Sequence, residues 1–426
     1  MPDDVEQQAV RGTIGRVTVA TLIAAASGYL VLLLAARDLG AAGYAVFAVF
    51  WAAYGMVTGT QNGQLQETTR TVRAALDSRH DHTADDNSPR ARPGLINAAI
   101  GLVLAAAVAA TSPLWSGHVF TEERWLSVLL LSVGVASFAV YAHLAGALSG
   151  ALAWGPFAVL LSVDALIRLV GAVVAVALDG DVTAFLVITV IGSVSWMAVL
   201  LTSTAARSAL GLRSDVAPAR FTTNTLTAMA AAAASAVLVM GFPVLINATA
   251  RDDADTATVG AVVLAVTLTR APLLVPLNSF QGVLITRFVD GRRHLMAALR
   301  APAAVVAAIG LVGAAAAWLL GPWLLTSVFG ADFQLSGATL AAFTLGATAL
   351  ALLTVSGAAA IAVGSHRWYA AGWWVATLAS IGLLLLPLGV EGRVAIALIG
   401  GPVIGMLVHG VAFARRRVPA AASTRD

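Results

Sequence analysis

Long apolar stretches, each about the length of a membrane-crossing helix, recur from one end of the chain to the other. A helix needs roughly 20 apolar residues to cross a bilayer, and 59% of the 426 residues are apolar while 11% are charged. A soluble domain carries about a quarter charged residues. The pattern therefore predicts an all-α integral membrane protein, and it argues against a soluble enzyme, a nucleic-acid-binding protein or a disordered scaffold.

Twelve apolar segments can be cut from the sequence, six in each half, and we predict that each is a transmembrane helix. The segments are 13–36, 41–60, 94–114, 125–148, 156–177, 182–204, 223–247, 259–280, 302–320, 337–361, 368–388 and 394–413. The start of the chain is acidic and lacks the basic region of a secretory signal peptide, so the first segment is expected to be retained as a span.

The basic residues, all of them arginine, are distributed unevenly between the two sides that this span map defines. One set of loops together with both tails holds nineteen of the 25, the opposite loops hold four, and two lie within spans. Because basic residues concentrate in cytoplasmic loops, we predict that both termini are cytoplasmic. The arginines are thus expected to set the orientation of the spans in the membrane, and no nucleic-acid partner is expected.

The longest loop of this map covers residues 61–93 and lies on the cytoplasmic side. It contains metal-ligating residue types, but its polar composition favours a solvated linker over a metal site. The residues in question are His80, Asp81, His82, Asp85 and Asp86. The chain has no cysteine, which excludes thiolate chemistry and cysteine-based metal sites. We predict neither a metal nor a cofactor.

The two halves of the chain carry a partial repeat, in which residues 93–120 resemble residues 302–329. Both copies contain the run AAIGLV, and further matches pair Pro93 with Pro302, Pro113 with Pro322 and the dipeptide Val119-Phe120 with Val328-Phe329. A shift of six spans preserves orientation, so this is a parallel repeat about an axis along the membrane normal. We predict an N-terminal lobe with spans 1–6 (1–206), a cytoplasmic linker (207–222), and a C-terminal lobe with spans 7–12 and a cytoplasmic tail (223–426).

The segment 35–59, AARDLGAAGYAVFAVFWAAYGMVTG, resembles the first spans of Wzx-type oligosaccharide flippases. Those proteins often carry the pattern A-R-x-L-G-x-x-x-Y-G-x-F, and Ala45 stands here where glycine is usual. Segment 259–288 is similar to the span 7–8 region of the same family. The residues that match the first pattern are Ala36, Arg37, Leu39, Gly40, Tyr44 and Phe47.

This resemblance to the polysaccharide-biosynthesis flippases of the MOP superfamily implies a twelve-helix, two-lobe, MATE-like fold that works by alternating access. It implies a transporter rather than an enzyme, which moves a polyprenyl-pyrophosphate-linked oligosaccharide from the cytoplasmic to the outer leaflet of the bacterial inner (plasma) membrane. The implied partners are that lipid-linked glycan, membrane lipid and other membrane proteins of polysaccharide assembly.

Three ionisable side chains lie deep within predicted spans, where such groups are functional candidates. From the helical rise, Asp164 and Arg168 lie about 12 and 18 Å into span 5, and Arg270 about 16 Å into span 8. Pro272 and Pro276 follow Arg270 and predict a kink beside it. A guanidinium binds phosphate oxygens bidentately, so we predict that Arg270 contacts pyrophosphate. A purely structural cation, satisfied by backbone carbonyls, is the alternative.

Two interpretations of Asp164 and Arg168, which share one helix face, stay open. They form either a neutralising ion pair or a functional one, in which Arg168 binds the anion and Asp164 releases it or couples transport to protonation. Arg16, near the cytoplasmic end of span 1, either contacts incoming pyrophosphate or anchors the span. Asn278, further along span 8, completes the predicted substrate-binding set.

Two histidines and three pairs of glycines in the spans have structural interpretations. His143 and His409 are expected to be core or interfacial residues with satisfied hydrogen bonds rather than proton relays.

Glycines spaced four apart predict close helix packing. The pairs are Gly55 and Gly59, Gly146 and Gly150, and Gly401 and Gly405.

Two other functions compete with a flippase. A MATE-like multidrug or cation antiporter has the same fold, but two buried arginines and one aspartate favour anions over cationic drugs. A membrane glycosyltransferase or polysaccharide polymerase generally needs a sizeable external loop and catalytic acids. The external acids, such as Glu122, Glu123 and Asp252, occupy short loops without a catalytic arrangement.

Overall fold

The structure, a computed structural model, describes residues 2–80, 90–120, 122–249, 255–290, 294–363 and 365–415. Within these ranges every regular element is a helix, so the predicted all-α membrane fold is confirmed. The chain divides into two compact units, Met1–Ala248 and Thr249–Asp426. The predicted linker, 207–222, lies inside the first of these units, and the predicted lobe boundaries stay a prediction.

Within its described residues, the first unit contains nine α-helices and one short 3₁₀ turn. They are α1 (Pro2–His80), α2 (Pro93–Val119), α3 (Arg124–Gly150), α4 (Trp154–Ala177), α5 (Val182–Ile191), the 3₁₀ turn Gly192–Val194, α6 (Ser195–Thr202), α7 (Thr204–Leu210), α8 (Pro218–Val239) and α9 (Phe242–Ala248). The long helix α1 packs against α3, α4 and α8, while α2 packs along α3.

The part of the second unit that the structure describes contains five α-helices. They are α10 (Thr256–Asp290), α11 (Leu295–Phe329), α12 (Gly337–Ala362), α13 (His366–Leu384) and α14 (Val390–Ala414). Helix α12 packs against α10, α11 and α14, and most of its residues from Thr344 to Ala360 are buried. It is therefore the central helix of the second unit.

Ten helices in the described ranges are long and apolar enough to cross a membrane, and the chain is a multi-pass membrane protein. One of them, Gly15–Ser78, covers both predicted spans 13–36 and 41–60. Helix α13 overlaps the predicted span 368–388 and is not one of the ten. The count of twelve spans stays a prediction.

The boundary between the first two predicted spans is a kink in α1 at Gly40, whose backbone has φ 64° and ψ −178°. Side chains with a β-carbon are almost excluded from this region of backbone space, whereas glycine adopts it readily. Tyr44 and Phe47, just beyond the kink, are fully buried, and the Phe47 ring packs edge-on against Phe185 of α5 at 5.7 Å. The glycine and aromatic residues of the 35–59 segment thus have structural roles at this kink.

The predicted cytoplasmic loop 61–93 is wrong in its first part, because α1 continues as a helix to His80. Polar side chains on this extension are buried by α2 and α3. Gln61 Nε2 donates to the Val135 carbonyl at 3.0 Å, and Asn97 Nδ2 donates to Thr68 Oγ1 at 2.9 Å. Buried polar residues such as Gln61 and Thr68 lower the hydropathy of this part of α1 without ending the helix. Residues 81–89 of this loop, including Asp81, His82, Asp85 and Asp86, lie outside the described residues.

The glycine pairs lie at close helix crossings, as predicted. A β-carbon on Gly59 would meet Ala236 of α8 at 2.9 Å, and one on Gly146 would meet the Leu65 carbonyl oxygen of α1 at 2.6 Å. In the second unit, a β-carbon on Gly405 would lie 2.6 Å from the Gly372 carbonyl oxygen. Helix backbones come this near only where a side chain is missing.

The repeated segments form helices of the same kind in the two units. Helices α2 and α11 end at the matched dipeptides, at Val119 and Phe329, and each contains an internal proline, Pro113 or Pro322. The copies differ at their start, since Pro93 is the first residue of α2 whereas α11 begins at Leu295, ahead of Pro302.

Candidate functional site

Asp164 and Arg168 form an ion pair near the middle of α4. Arg168 Nη2 donates to Asp164 Oδ1 at 2.8 Å, and each side chain is 16% exposed. Arg168 lies fourteen residues after Trp154, the first residue of α4, or about 21 Å along the helix axis. The predicted proximity of the two charges is therefore present, deep within a spanning helix.

Aromatic residues from α1 and α3 surround this pair. The rings of Trp51 and Tyr54 each lie 5.7 Å from the Arg168 guanidinium carbon, and they share one face of α1 because they are three residues apart. Tyr141 of α3 is close to both charges. A desolvated cation–π contact contributes about 2 kcal/mol. The arginine is thus held by one carboxylate and two aromatic faces.

Gly192 brings a helix backbone against the ion pair. Helix α5 ends at Ile191, the 3₁₀ turn covers Gly192–Val194, and α6 begins at Ser195. A β-carbon on Gly192 would lie 2.3 Å from Arg168 Nε and 2.6 Å from Asp164 Oδ1. The predicted sixth span is therefore interrupted where it meets the buried charges, and breaks of this kind are tolerated at membrane depth when protein groups surround them.

Side-chain hydrogen bonds fix the 3₁₀ turn to α3. Ser137 Oγ donates to the Ser193 carbonyl at 3.1 Å, and Trp196 Nε1 donates to Ser137 Oγ at 3.0 Å. We call Trp51, Tyr54, Asp164, Arg168 and Gly192 the charged cluster of the first unit. Sequence reasoning found its two charges and missed the other three residues. The sequence does contain one indication of the turn: Gly192, Ser193 and Ser195 interrupt an otherwise apolar segment.

Besides Arg393 of α14, which is 2% exposed, the described part of the second unit contains another buried arginine, Arg270. It is 7% exposed and lies fourteen residues after Thr256, the first residue of α10. The protein itself supplies it with an interaction partner. Helix α10 is continuous through Pro272 and Pro276, and the kink predicted there stays a prediction.

The remaining predicted site residues occupy other settings. Arg16 is an exposed side chain near the start of α1. This exposure fits both of its predicted roles, as an anchor of the span and as a first contact with the substrate. The side chain of Asn278 lies outside the described residues. His409 is fully buried, with Nδ1 2.8 Å from Ser356 Oγ and Nε2 3.3 Å from the Tyr369 carbonyl oxygen, so the prediction of a satisfied core histidine is confirmed.

Solved membrane transporters share this fold. An inward-facing multidrug resistance MATE family transporter of the MOP superfamily aligns with a TM-score of 0.73 at 13% identity, over 94% of this chain and 98% of that one. The lipid II flippase MurJ, in an inward closed conformation, aligns with a TM-score of 0.68 at 13% identity, over 93% and 87%. These likenesses and the apolar helices define a multi-pass membrane protein with the fold of MOP-superfamily transporters.

Sequence comparison gives the family. No protein-family model matches the chain. The uncharacterized protein Rv3630 of Mycobacterium tuberculosis (strain ATCC 25618 / H37Rv) is 47% identical over 404 residues, which cover 95% of this chain and 92% of the relative. The uncharacterized protein Rv1510 of the same strain is 49% identical over 406 residues, with the same coverage. The chain belongs to the family of these mycobacterial proteins.

Proposed function

We propose that the protein is a flippase of the Wzx type, which moves a polyprenyl-pyrophosphate-linked oligosaccharide from the cytoplasmic to the outer leaflet by alternating access. One observation carries the proposal: each compact unit contains an arginine about 21 Å along a spanning helix, the partly buried Arg168 in the first and the buried Arg270 in the second. Buried cations at this depth are costly, and a pyrophosphate group supplies the anionic charge that they attract.

Arg168 keeps hydrogen-bonding capacity for such a ligand. Its Nη2 donates to Asp164, and its Nε packs against the backbone of Gly192, so a ligand would be bound by the N–H groups of Nη1 and Nη2. A guanidinium has five N–H donors in a planar fork that matches phosphate geometry. We propose that the pyrophosphate takes part of this fork in exchange for Asp164, and that protonation of the displaced carboxylate couples transport to the proton gradient.

The Wzx assignment extends this proposal to the glycan and its biosynthetic setting. It is supported by the similarity of segments 35–59 and 259–288 to that family, and by the role of Gly40 and Phe47 at the kink in α1. The lipid II flippase MurJ shares the fold. On this proposal the protein works in the bacterial inner membrane beside other proteins of cell-surface polysaccharide assembly.

A cation antiporter is the second candidate, favoured by the likeness to MATE family transporters. The charged cluster argues against it. The Asp164 carboxylate already accepts a hydrogen bond from Arg168 at 2.8 Å, so it is not a spare anion for a cationic drug. An antiporter of this kind would have to break that pair to bind each cation.

A leaflet-resolved flipping assay separates the two candidates. Purified protein in proteoliposomes is given a fluorescent polyprenyl-pyrophosphate glycan, and the fraction that reaches the opposite leaflet is measured against protein-free vesicles. We expect flipping of the pyrophosphate-linked glycan and none of a neutral polyprenyl glycoside of equal length. Proton-driven uptake of a labelled organic cation without any lipid flipping would overturn the proposal in favour of the antiporter.

A further inference from the structure

A pocket of about 460 Å³ opens in the first unit where α2 begins. Its wall is formed by the first turn of α2, by the middle of α3 and by the segment at the end of α7. The residues that matter for its chemistry are Arg92, Gly94, Leu95, His143, Leu210 and Arg213. Neither the charged cluster nor any residue of the proposed transport site contributes to this wall.

The pocket wall includes a buried imidazole, that of His143. The imidazole is 2% exposed, and a β-carbon on Gly94 would lie 2.9 Å from its Nε2. A backbone group of Leu210 lies beside the ring, but neither ring nitrogen forms a hydrogen bond of standard geometry with the described residues. His143 is thus a core residue, as expected, but the described residues do not complete its hydrogen bonding. A buried polar group in this state costs about 1–3 kcal/mol, which a ligand that accepts its N–H would offset.

The first turn of α2 faces the same space. This 27-residue helix begins at Pro93, has no side-chain cap from Arg92 and carries no acidic residue in its first turn. Proline has no N–H, so the free backbone donors of the turn include those of Gly94 and Leu95, which both line the pocket. The N-terminus of a helix attracts anions through such donors and through its dipole.

Two arginines complete the electrostatic setting. Arg92 and Arg213 both line the pocket and both are exposed. Backbone hydrogen bonds hold their segments together: Ala91 N donates to the Val216 carbonyl at 2.9 Å, and Ser214 N donates to the Ala91 carbonyl at 3.2 Å. The described wall contains two arginines and one histidine and no carboxylate.

The apolar part of the wall identifies the source of the anion. Leu95 is 64% exposed and stands beside Arg92 on a spanning helix, as expected where a helix leaves the acyl region for the headgroup region. The arginine bias predicts that this end of α2 is cytoplasmic, and basic pockets between helices on that side bind anionic lipid headgroups. We propose that this pocket binds the phosphate headgroup of an anionic phospholipid, a site separate from the proposed transport path.

Lipid retention tests the site directly. Purified protein is incubated with vesicles of equal parts phosphatidylglycerol and phosphatidylcholine, re-extracted, and analysed by native mass spectrometry for the lipids that stay bound. We expect the parent protein to retain phosphatidylglycerol preferentially. R92Q/R213Q should reduce that preference by about tenfold, as for the loss of one or two charge-assisted hydrogen bonds. H143L should also reduce it, although it leaves the exposed arginines in place.

The matched control is R220Q/R300Q, which removes the same charge at two exposed arginines outside the pocket. We expect it to leave the preference unchanged. An equal loss in this control, or full retention by R92Q/R213Q, would overturn the proposal. So would protection of the parent protein against thermal unfolding by inorganic phosphate alone, without enrichment of phosphatidylglycerol, because the site would then take free phosphate. Because this experiment measures bound lipid and not transport, its result tests the lipid site and leaves the proposed flippase function untested.

Discussion

The backbone of Gly192 packs directly on Arg168, with room for no side chain between them: a β-carbon there would lie 2.3 Å from Nε. The same position would lie 2.6 Å from Asp164 Oδ1. The interrupted span thus packs its Gly192 backbone directly against the ion pair of α4. A change in that pair, such as exchange of Asp164 for a substrate anion, would act on the 3₁₀ turn that touches it.

The first prediction concerns this contact. Gly192→Ala should destabilise the protein by about 1–3 kcal/mol, because the added methyl group overpacks a buried site. Thermal unfolding in detergent measures the effect. The control is Gly155→Ala, a glycine of α4 whose β-carbon would meet nothing within 4 Å. If Gly192→Ala unfolds at the same temperature as this control, the contact does not hold the turn.

The second prediction separates a structural ion pair from a functional one. Asp164→Ala leaves the Arg168 charge without its carboxylate, and breaking a buried pair typically costs about 3–5 kcal/mol. The double variant D164A/R168L removes both charges and should recover most of the stability. We expect the recovered protein to flip no pyrophosphate-linked glycan. Normal flipping by the double variant would leave the pair with a structural role only.

The spacing of residues a few positions apart in the sequence correctly predicted the contacts that such residues make in the structure. The four-residue separation of Asp164 and Arg168 gave their ion pair, and the glycine pairs gave close helix crossings. Spacing says nothing of partners far apart in the chain. The contact of Trp51 with Arg168 joins α1 to α4, and no pattern within either helix indicates it.

The same limit explains the error in the loop 61–93. Its polar side chains indicate solvent when only neighbours in sequence are considered. In the structure, Gln61 and Gln64 donate to the carbonyls of Val135 and Asn97, 74 and 33 residues away. Buried amides satisfied by distant backbone groups are indistinguishable in sequence from exposed ones, so the helical extension of α1 could not be predicted.

The third prediction concerns the kink in α1. Gly40→Ala places a β-carbon on a backbone with φ 64°, a conformation that costs about 1–3 kcal/mol for residues other than glycine. We expect a correspondingly lower unfolding temperature. Gly28→Ala, in the same helix and with nothing within 4 Å of its β-carbon, should be neutral or slightly stabilising. Equal stability of the two variants would mean that the kink is not under this constraint.

The fourth prediction concerns topology. Nineteen of the 25 arginines fall on the side that also holds both termini, which predicts that this side is cytoplasmic. Reporter fusions inserted at Asp85 and joined after Arg417 should both show cytoplasmic behaviour, and a fusion at Asp179, between α4 and α5, should report the outside. A reversed result at any of the three would contradict the span map.

The last prediction concerns Arg270, which is 7% exposed on α10. Arg270→Ala should leave the protein inserted and folded but reduce flipping strongly. Losing a charge-assisted contact of about 1.5–3 kcal/mol corresponds to a ten- to hundredfold loss of affinity for the pyrophosphate group. Arg270→Lys should restore function only in part, because an ammonium keeps the charge but lacks the bidentate fork. Arg300→Ala, which removes an exposed arginine from α11, is the matched control and should flip normally. Binding of the lipid-linked glycan by purified Arg270→Ala, if equal to that of the parent protein, would exclude Arg270 from the anion site and leave it a structural cation.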